Sequence, residues 1–305
     1  MRLVFVLAWA LWLLASPAAA QSGRASPLSA EAVILLAPDD KVLYAKNPVE
    51  GHAPASLVKL MTLYLAYEDL EAGRVSWDDN VVISRHAAET PRYRMGLKAE
   101  EVVPLYTLLE GVAIASANDA ATAVAEHLAP SEEEFVARMN AKARELQLTS
   151  TRFANPHGLP DPHQRTTARD MAALMGHLMV DYPAARTVLG GKTFIHKGRV
   201  YSRRIPLFDD PGGVQALKTG FTNEAGYNLA VAAWRNGQRY LLIVLGAHTR
   251  SLSFRDAKRL LQFGFGEASI DSATPDPPRR EPARRPTPTK RTPKRSPTTT
   301  GHSAS

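Results

Sequence analysis

The apolar positions fall into two rhythms along the chain. Residues 32–46 read as a hairpin. Ala32-Val33-Ile34-Leu35-Leu36 is an apolar run, Pro38-Asp39-Asp40 carries turn chemistry, and Val42-Leu43-Tyr44 returns. From Pro54-Ala55-Ser56 the period lengthens to that of a helix, which runs to about Ala72 with Gly73 as its C-terminal cap. Leu57, Leu60, Met61, Leu63, Tyr64 and Leu65 occupy so much of its circumference that the helix is expected to be buried. Residues 99–129 read as two helices broken at Ser116-Ala117-Asn118. Pro104 stands near the start of the first, and Asp119 near the start of the second, where the helix dipole favours a carboxylate. Further helices are expected over 131–146 and 168–182.

The last third changes to strands, at Val214 to Phe221, Tyr227 to Trp234 and Tyr240 to Gly246. Asn236-Gly237 between the second and third is a strong signal for a tight hairpin. A closing helix is expected from Ser253 to about Phe263. An early hairpin, a helical middle, three strands and a final helix imply an α+β fold, with helices packed on an antiparallel sheet joining the two ends of the chain.

Both termini of the 305-residue chain differ from its body. Residues 1–20 carry Arg2, an apolar run from Leu3 to Ala15 and the small residues Ala18-Ala19-Ala20, the layout of a secretory leader. Residues 271–305 are rich in Pro, Thr, Ser, Arg and Lys and hold almost nothing apolar, so they are expected to be disordered. Eight Lys/Arg against three acids give that segment +5, and with Arg2 set aside about +1 of the overall +7 is left for residues 21–270. The basic character thus belongs to a terminal segment, and a nucleic-acid role for the body does not follow from it. The chain has no cysteine, which excludes disulfides, thiol catalysis and cysteine-based zinc sites, and suits a bacterial envelope better than a eukaryotic secretory route.

Three short segments carry candidate chemistry. In Ser56-Leu57-Val58-Lys59 the hydroxyl and the amine stand three apart, close enough to meet on one helix face. A serine needs a base, and a lysine serves as one only when burial or a neighbouring cation makes it give up its proton. The buried helix supplies the first condition, and Lys218 can supply the second. Ser116-Ala117-Asn118 forms a break that can face a cleft, with Ser116 placed to relay a proton and the Asn118 amide to hold a peptide group. Lys218-Thr219-Gly220 lies on an expected strand, where the lysine and threonine offer a charge and a hydroxyl to a carboxylate. Gly220 there would let a substrate backbone lie close. Each segment alone has an ordinary structural explanation, such as a helix cap, a snorkelling lysine or a blunted edge strand. Their conjunction in this order does not.

Together the three segments resemble the Ser-x-x-Lys, Ser-x-Asn and Lys-Thr-Gly set of penicillin-binding proteins and serine β-lactamases. More closely, the chain resembles the low-molecular-mass penicillin-binding proteins of the D-alanyl-D-alanine carboxypeptidase family. Pro54 to Thr62, Phe153-Ala154-Asn155-Pro156-His157-Gly158-Leu159, Thr167 to Ala172, and Lys218 to Asn228 all carry the likeness. The resemblance implies a transpeptidase-like catalytic domain over 21–270, no cofactor, peptidoglycan stem peptides ending in D-Ala-D-Ala as substrate, and β-lactams as covalent inhibitors. It implies Ser56 as nucleophile, Lys59 as base, Ser116 in proton transfer and Asn118 as a substrate-orienting group. Lys218 and Thr219 would read the terminal carboxylate, and the N–H groups of Ser56 and Phe221 would form the oxyanion hole.

The sequence departs from the family at a few points. Ala117 stands where glycine is common and Phe221 where histidine is common, and both Arg250 and Arg255 qualify for the arginine that helps bind the carboxylate. A DD-endopeptidase uses the same machinery. A β-lactamase would need an activating glutamate, for which Glu89 and Glu110 are the candidates, and a wall-binding module without catalysis would have dispensed with Ser56 or Lys59. His157 and His163 lack companions for a metal site, and Met171 and Met175 read as core. The terminal basic clusters can engage an anionic envelope surface.

Overall fold

In chain order the described residues form β1 (Ala32–Leu36), β2 (Val42–Lys46), α1 (Lys59–Glu71), β3 (Asn80–Val82), α2 (Arg85–Glu89), β4 (Val102–Pro104), α3 (Leu105–Glu110) and α4 (Asn118–Leu128). Then follow α5 (Glu132–Glu145), α6 (Ala168–Asp181), α7 (Ala185–Gly190), β5 (Thr193–His196), β6 (Arg199–Ser202), β7 (Val214–Thr222), β8 (Gly226–Arg235), β9 (Gln238–Ala247) and α8 (Arg250–Gly264). The computed structural model describes residues 27–91 and 93–268, so the expected leader and the basic C-terminal segment lie outside the described residues.

The strand order β2-β1-β9-β8-β7 joins the N-terminal hairpin to the last three strands, antiparallel throughout. The continuous apolar runs follow from burial of the central strands on both faces. On β1, Ala32 and Ile34 face the large core shared with α1 and α3–α6, while Val33 and Leu35 face the smaller core beneath α8. On β9, Leu241, Ile243 and Leu245 alternate with Leu242 and Val244 in the same way. Asn236 and Gly237 adopt φ of 52° and 75°, the left-handed pair that a tight hairpin needs.

The helical expectations hold, with informative differences. The segment after Pro54 opens as a 3-10 turn over Ala55–Val58 before the α-helix begins at Lys59. The first of the two middle helices ends in a widened turn over Gly111–Ala115, and Ser116 then takes a left-handed φ of 56°. The last helix starts at Arg250 rather than Ser253, because the Thr249 hydroxyl accepts from the Leu252 N–H and caps it. Sequence reading did not anticipate the β3–β4 pair, α2, α7 or the β5–β6 hairpin. In that hairpin Phe194 and Tyr201 are buried while Ile195 and Val200 are exposed, so no polar–apolar alternation marks it. Among the described residues no helix is long and apolar enough to cross a membrane.

Candidate active site

The Ser56 turn is built under constraint from three sides. Ala55, just before the serine, sits at a left-handed φ of 49°, a conformation that non-glycine residues hold only when their surroundings impose it. The buried Asn228 side chain on β8 donates to the carbonyls of Ala53 and Pro54 at 3.0 and 3.2 Å, and accepts from the Gly246 N–H at 2.9 Å. Gly220 on β7 presses so close that a methyl there would lie 3.1 Å from both Pro54 O and Ser56 N. Gly220 is thus a point of close approach for the chain's own Ser56 turn. From the third side, Gly158, at φ 89°, passes over the turn where an added Cβ would come within 2.0 Å of Ala55 O.

Lys59 is fully buried, and its ammonium meets only neutral acceptors: Ser56 Oγ at 3.2 Å, Asn118 Oδ1 at 2.7 Å and the His157 carbonyl. Burial lowers its pKa to about 7, against a smaller upward pull from Asp119. The His157 carbonyl reaches it from a tightly tied loop. Asn155 Oδ1 accepts from Gly158 N–H, Thr62 Oγ1 donates to Pro156 O, and His157 Nδ1 accepts from Leu159 N–H. The His157 ring is buried and pushed down to about 3, by desolvation first and then by Lys59. Sequence reading took this loop only as a mark of the family. In the fold it brings a carbonyl to the buried Lys59 amine.

Lys218, the cation expected to push on Lys59, is close enough for the two amines to repel each other. Lys218 is buried at the back of the site, donating to Ser116 Oγ at 2.7 Å and to Thr219 O at 2.9 Å, and its pKa is held well below the usual lysine range by burial, then Lys59, then Arg203. The left-handed Ser116 turn brings its hydroxyl to that amine. Asn118 occupies both ends of its amide within the protein, accepting from Lys59 and donating to Pro91 O at 2.9 Å.

In front of these groups lies a cleft of about 690 Å³, lined among others by Ser56, Ser116, Thr219, Gly220, Phe221 and Arg250. Lys59, Asn118 and Lys218 stand behind that lining rather than in it. The Phe221 ring is 38% exposed and packs on Tyr227 at 4.3 Å between centroids. Of the two candidate arginines, Arg250 reaches the cleft, whereas Arg255 contacts Asp256 Oδ1 at 3.3 Å. Glu89 and Glu110 are not part of the lining, and burial pushes the Glu110 carboxyl up. Among the described residues no cluster of three His, Cys, Asp or Glu could hold a metal.

Tyr93 also lines the cleft and was missed in the sequence. Its loop hangs on Asp119, whose carboxylate accepts from the N–H groups of Met95, Gly96 and Leu97 at 3.0, 2.8 and 3.1 Å. The acid at the helix start thus holds a cleft wall as well as favouring the helix.

Residues 19–249 match the family described as D-alanyl-D-alanine carboxypeptidase. The chain is 36% identical over 254 residues to the D-alanyl-D-alanine carboxypeptidase DacF of Bacillus subtilis, covering 80% of this chain and 64% of the relative. It is 38% identical over 256 residues to DacC of Escherichia coli, covering 81% and 64%. The chain therefore spans 64% of the length of each of these relatives. Among solved structures, penicillin binding protein 5 from Haemophilus influenzae superimposes with a TM-score of 0.76 at 33% identity, over 79% of this chain and 72% of that one. A serine, two buried lysines and a strand-borne Lys-Thr-Gly on this fold agree with that likeness, and the chain belongs to the D-alanyl-D-alanine carboxypeptidase family.

Proposed function

We propose that this protein is a serine DD-carboxypeptidase that removes the terminal D-alanine from peptidoglycan stem peptides through an acyl-enzyme on Ser56. The observation that carries the reading is the Ser56 hydroxyl 3.2 Å from a fully buried Lys59 whose pKa lies near 7. A neutral amine at that distance accepts the serine proton as Oγ attacks the carbonyl carbon of the penultimate D-alanine. The oxyanion is received by the N–H groups of Ser56 and Phe221, and loss of one such donor costs about 100- to 1,000-fold in rate. Collapse of the adduct breaks the peptide bond, and the departing amine takes a proton by way of Ser116. Water then hydrolyses the ester and frees Ser56.

Asn118 holds Lys59 in place through Oδ1, a positioning role in keeping with its place behind the cleft lining. Lys218 supports Ser116 and contributes positive potential beneath the substrate carboxylate, while Thr219 and Arg250 meet that carboxylate from the cleft wall. β-Lactams, which mimic the D-Ala-D-Ala end, acylate Ser56 in the same way. The leader-like residues 1–20 support export to the periplasm or cell envelope, where this trimming acts on the wall and on cell shape. The basic segment 271–305 supports attachment to an anionic envelope surface.

The test is incubation of the protein with a fluorescent penicillin and with a D-Ala-D-Ala peptide. A stable adduct mapped to Ser56, release of D-alanine, and loss of both in Ser56→Ala are expected. A folded protein that takes no label and releases no D-alanine would overturn the reading.

A further inference from the structure

Arg203, two residues after the buried Tyr201, has no counterpart among the residues that the sequence brought forward. Its guanidinium is half-buried against Phe208, 5.2 Å from the ring centroid. Among the described residues no carboxylate bridges it. Four backbone carbonyls accept from it instead: Gly191 O from Nε at 2.8 Å, Leu189 O from Nη2, and Ala113 O and Leu217 O from Nη1 at 3.2 and 2.9 Å.

The first two carbonyls lie at the end of α7, where helix carbonyls lack partners of their own. The other two matter for the site. Ala113 lies in the widened turn that delivers Ser116, and Leu217 immediately precedes Lys218 on β7. A single nitrogen thus fastens together the two backbone segments whose side chains meet at the 2.7 Å contact between Lys218 Nζ and Ser116 Oγ. Both segments are irregular or strand backbone from distant parts of the chain, and the guanidinium is a direct hydrogen-bonded tie between them. A third positive charge close to two buried lysines opposes folding, so a cation is a costly choice for a mere helix-end cap. Its planar fork, which reaches several acceptors at once, fits a clamp.

We infer that Arg203 is a positioning residue for acylation: by holding Ala113 O and Leu217 O on one nitrogen it sets the Ser116–Lys218 contact from the wall of the cleft, which it also lines. The inference rests on the Ser56 acyl-enzyme reading. The role works through the two backbone carbonyls and does not depend on contact between Arg203 and substrate. The downward push that Arg203 exerts on Lys218 acts in the same place, since it weakens the hold of that amine on its proton.

The experiment is a double-mutant cycle on the rate of the covalent step with a penicillin. It uses the wild type, Arg203→Met, Arg203→Lys, Ser116→Ala and the combined Ser116→Ala/Arg203→Met protein, each with its fraction of labelled sites and its melting curve. Arg203→Met is expected to slow the covalent step about tenfold or more while the labelled fraction stays full. Arg203→Lys, which keeps a cationic hydrogen-bond donor on a long side chain, is expected to recover part of that rate. In the Ser116→Ala background the Arg203→Met change should cost less than about twofold, because the contact it serves is already gone. Wild-type speed in Arg203→Met, or losses that multiply in the combined protein, would overturn the inference. Where Arg203→Met does not fold, the cycle runs with Arg203→Lys; if neither folds, Arg203 is a structural strut and the inference fails. A folded wild type that takes no label at all would instead remove the Ser56 reading on which it stands.

Discussion

The Nζ of Lys59 lies 3.2 Å from the Oγ of Ser56 and forms no salt bridge among the described residues. A base and a nucleophile three positions apart on one turn need no long-range contact to find each other. What the rest of the fold contributes is the dryness around them, and that decides the protonation state of the amine.

The pH dependence of acylation follows from that burial. Lys59 acts as base only when neutral, and its pKa is brought from the usual 10.5 to about 7. The neutral fraction grows as pH rises, so the acylation rate should climb with pH, reach half its plateau near pH 7 and fall about tenfold per unit below it. Rates of penicillin labelling between pH 5 and 9 check this. A rate flat down to pH 5 would mean that Lys59 is not the titrating base.

Asn118 offers a sharper test of the same electrostatics. Its Oδ1 is 2.7 Å from Lys59 Nζ, so Asn118→Asp puts a carboxylate against the amine with little change in shape. An opposite charge at that range should hold the proton and move the half-rate point upward by about one unit or more. Asn118→Ala should lower the rate without that upward move. Identical pH profiles for the two variants would count against a role for Asn118 at Lys59.

These groups differed in how far the sequence disclosed them. Ser56 and Lys59 were legible because they are local: helical spacing and an all-round apolar helix already imply proximity and burial. The sheet order was legible in outline, since apolar runs at both ends of the chain have to be buried against something. Asn228, Gly158 and Arg203 were not assigned roles, because each acts by touching backbone remote in sequence, and no periodicity records that. Asp119 was read correctly as a helix-start acid, yet its three contacts to residues 95–97 depend on a loop whose path only the folded chain defines. Gly220 was recognised as a point of close approach to substrate, but its close approach to the Ser56 turn left no mark in the sequence.

Gly158 can be tested directly. Its φ of 89° is unfavourable for any side chain, and an alanine Cβ would overlap Ala55 O, which cannot yield without moving Ser56. Gly158→Ala should destabilise the fold by about 2–4 kcal/mol, and the protein that remains folded should acylate far more slowly than wild type. Thermal unfolding followed by penicillin labelling of the folded fraction separates the two effects. Full-speed labelling with an unchanged melting curve would show that the loop tolerates a side chain there.

The two candidate arginines part company in the same kind of experiment. Arg250 begins α8, stacks on Phe254 at 5.5 Å, donates to Arg204 O at 3.1 Å and lines the cleft beside Thr219. Arg255 contacts the fully buried Asp256, which in turn accepts from the backbone and hydroxyl of Ser29 at 2.6 and 2.8 Å. Arg250→Ala should therefore lower kcat/KM for a D-Ala-D-Ala peptide by about tenfold or more, as expected for loss of a charged contact to a carboxylate, and leave the melting temperature nearly unchanged. Arg255→Ala should do the reverse. It should keep turnover and lower the melting temperature by about 2–4 °C, the shift that roughly 1 kcal/mol produces in a domain of this size. Steady-state release of D-alanine, read beside a melting curve for each variant, decides between them, and loss of turnover in Arg255→Ala alone would transfer the carboxylate role to that residue.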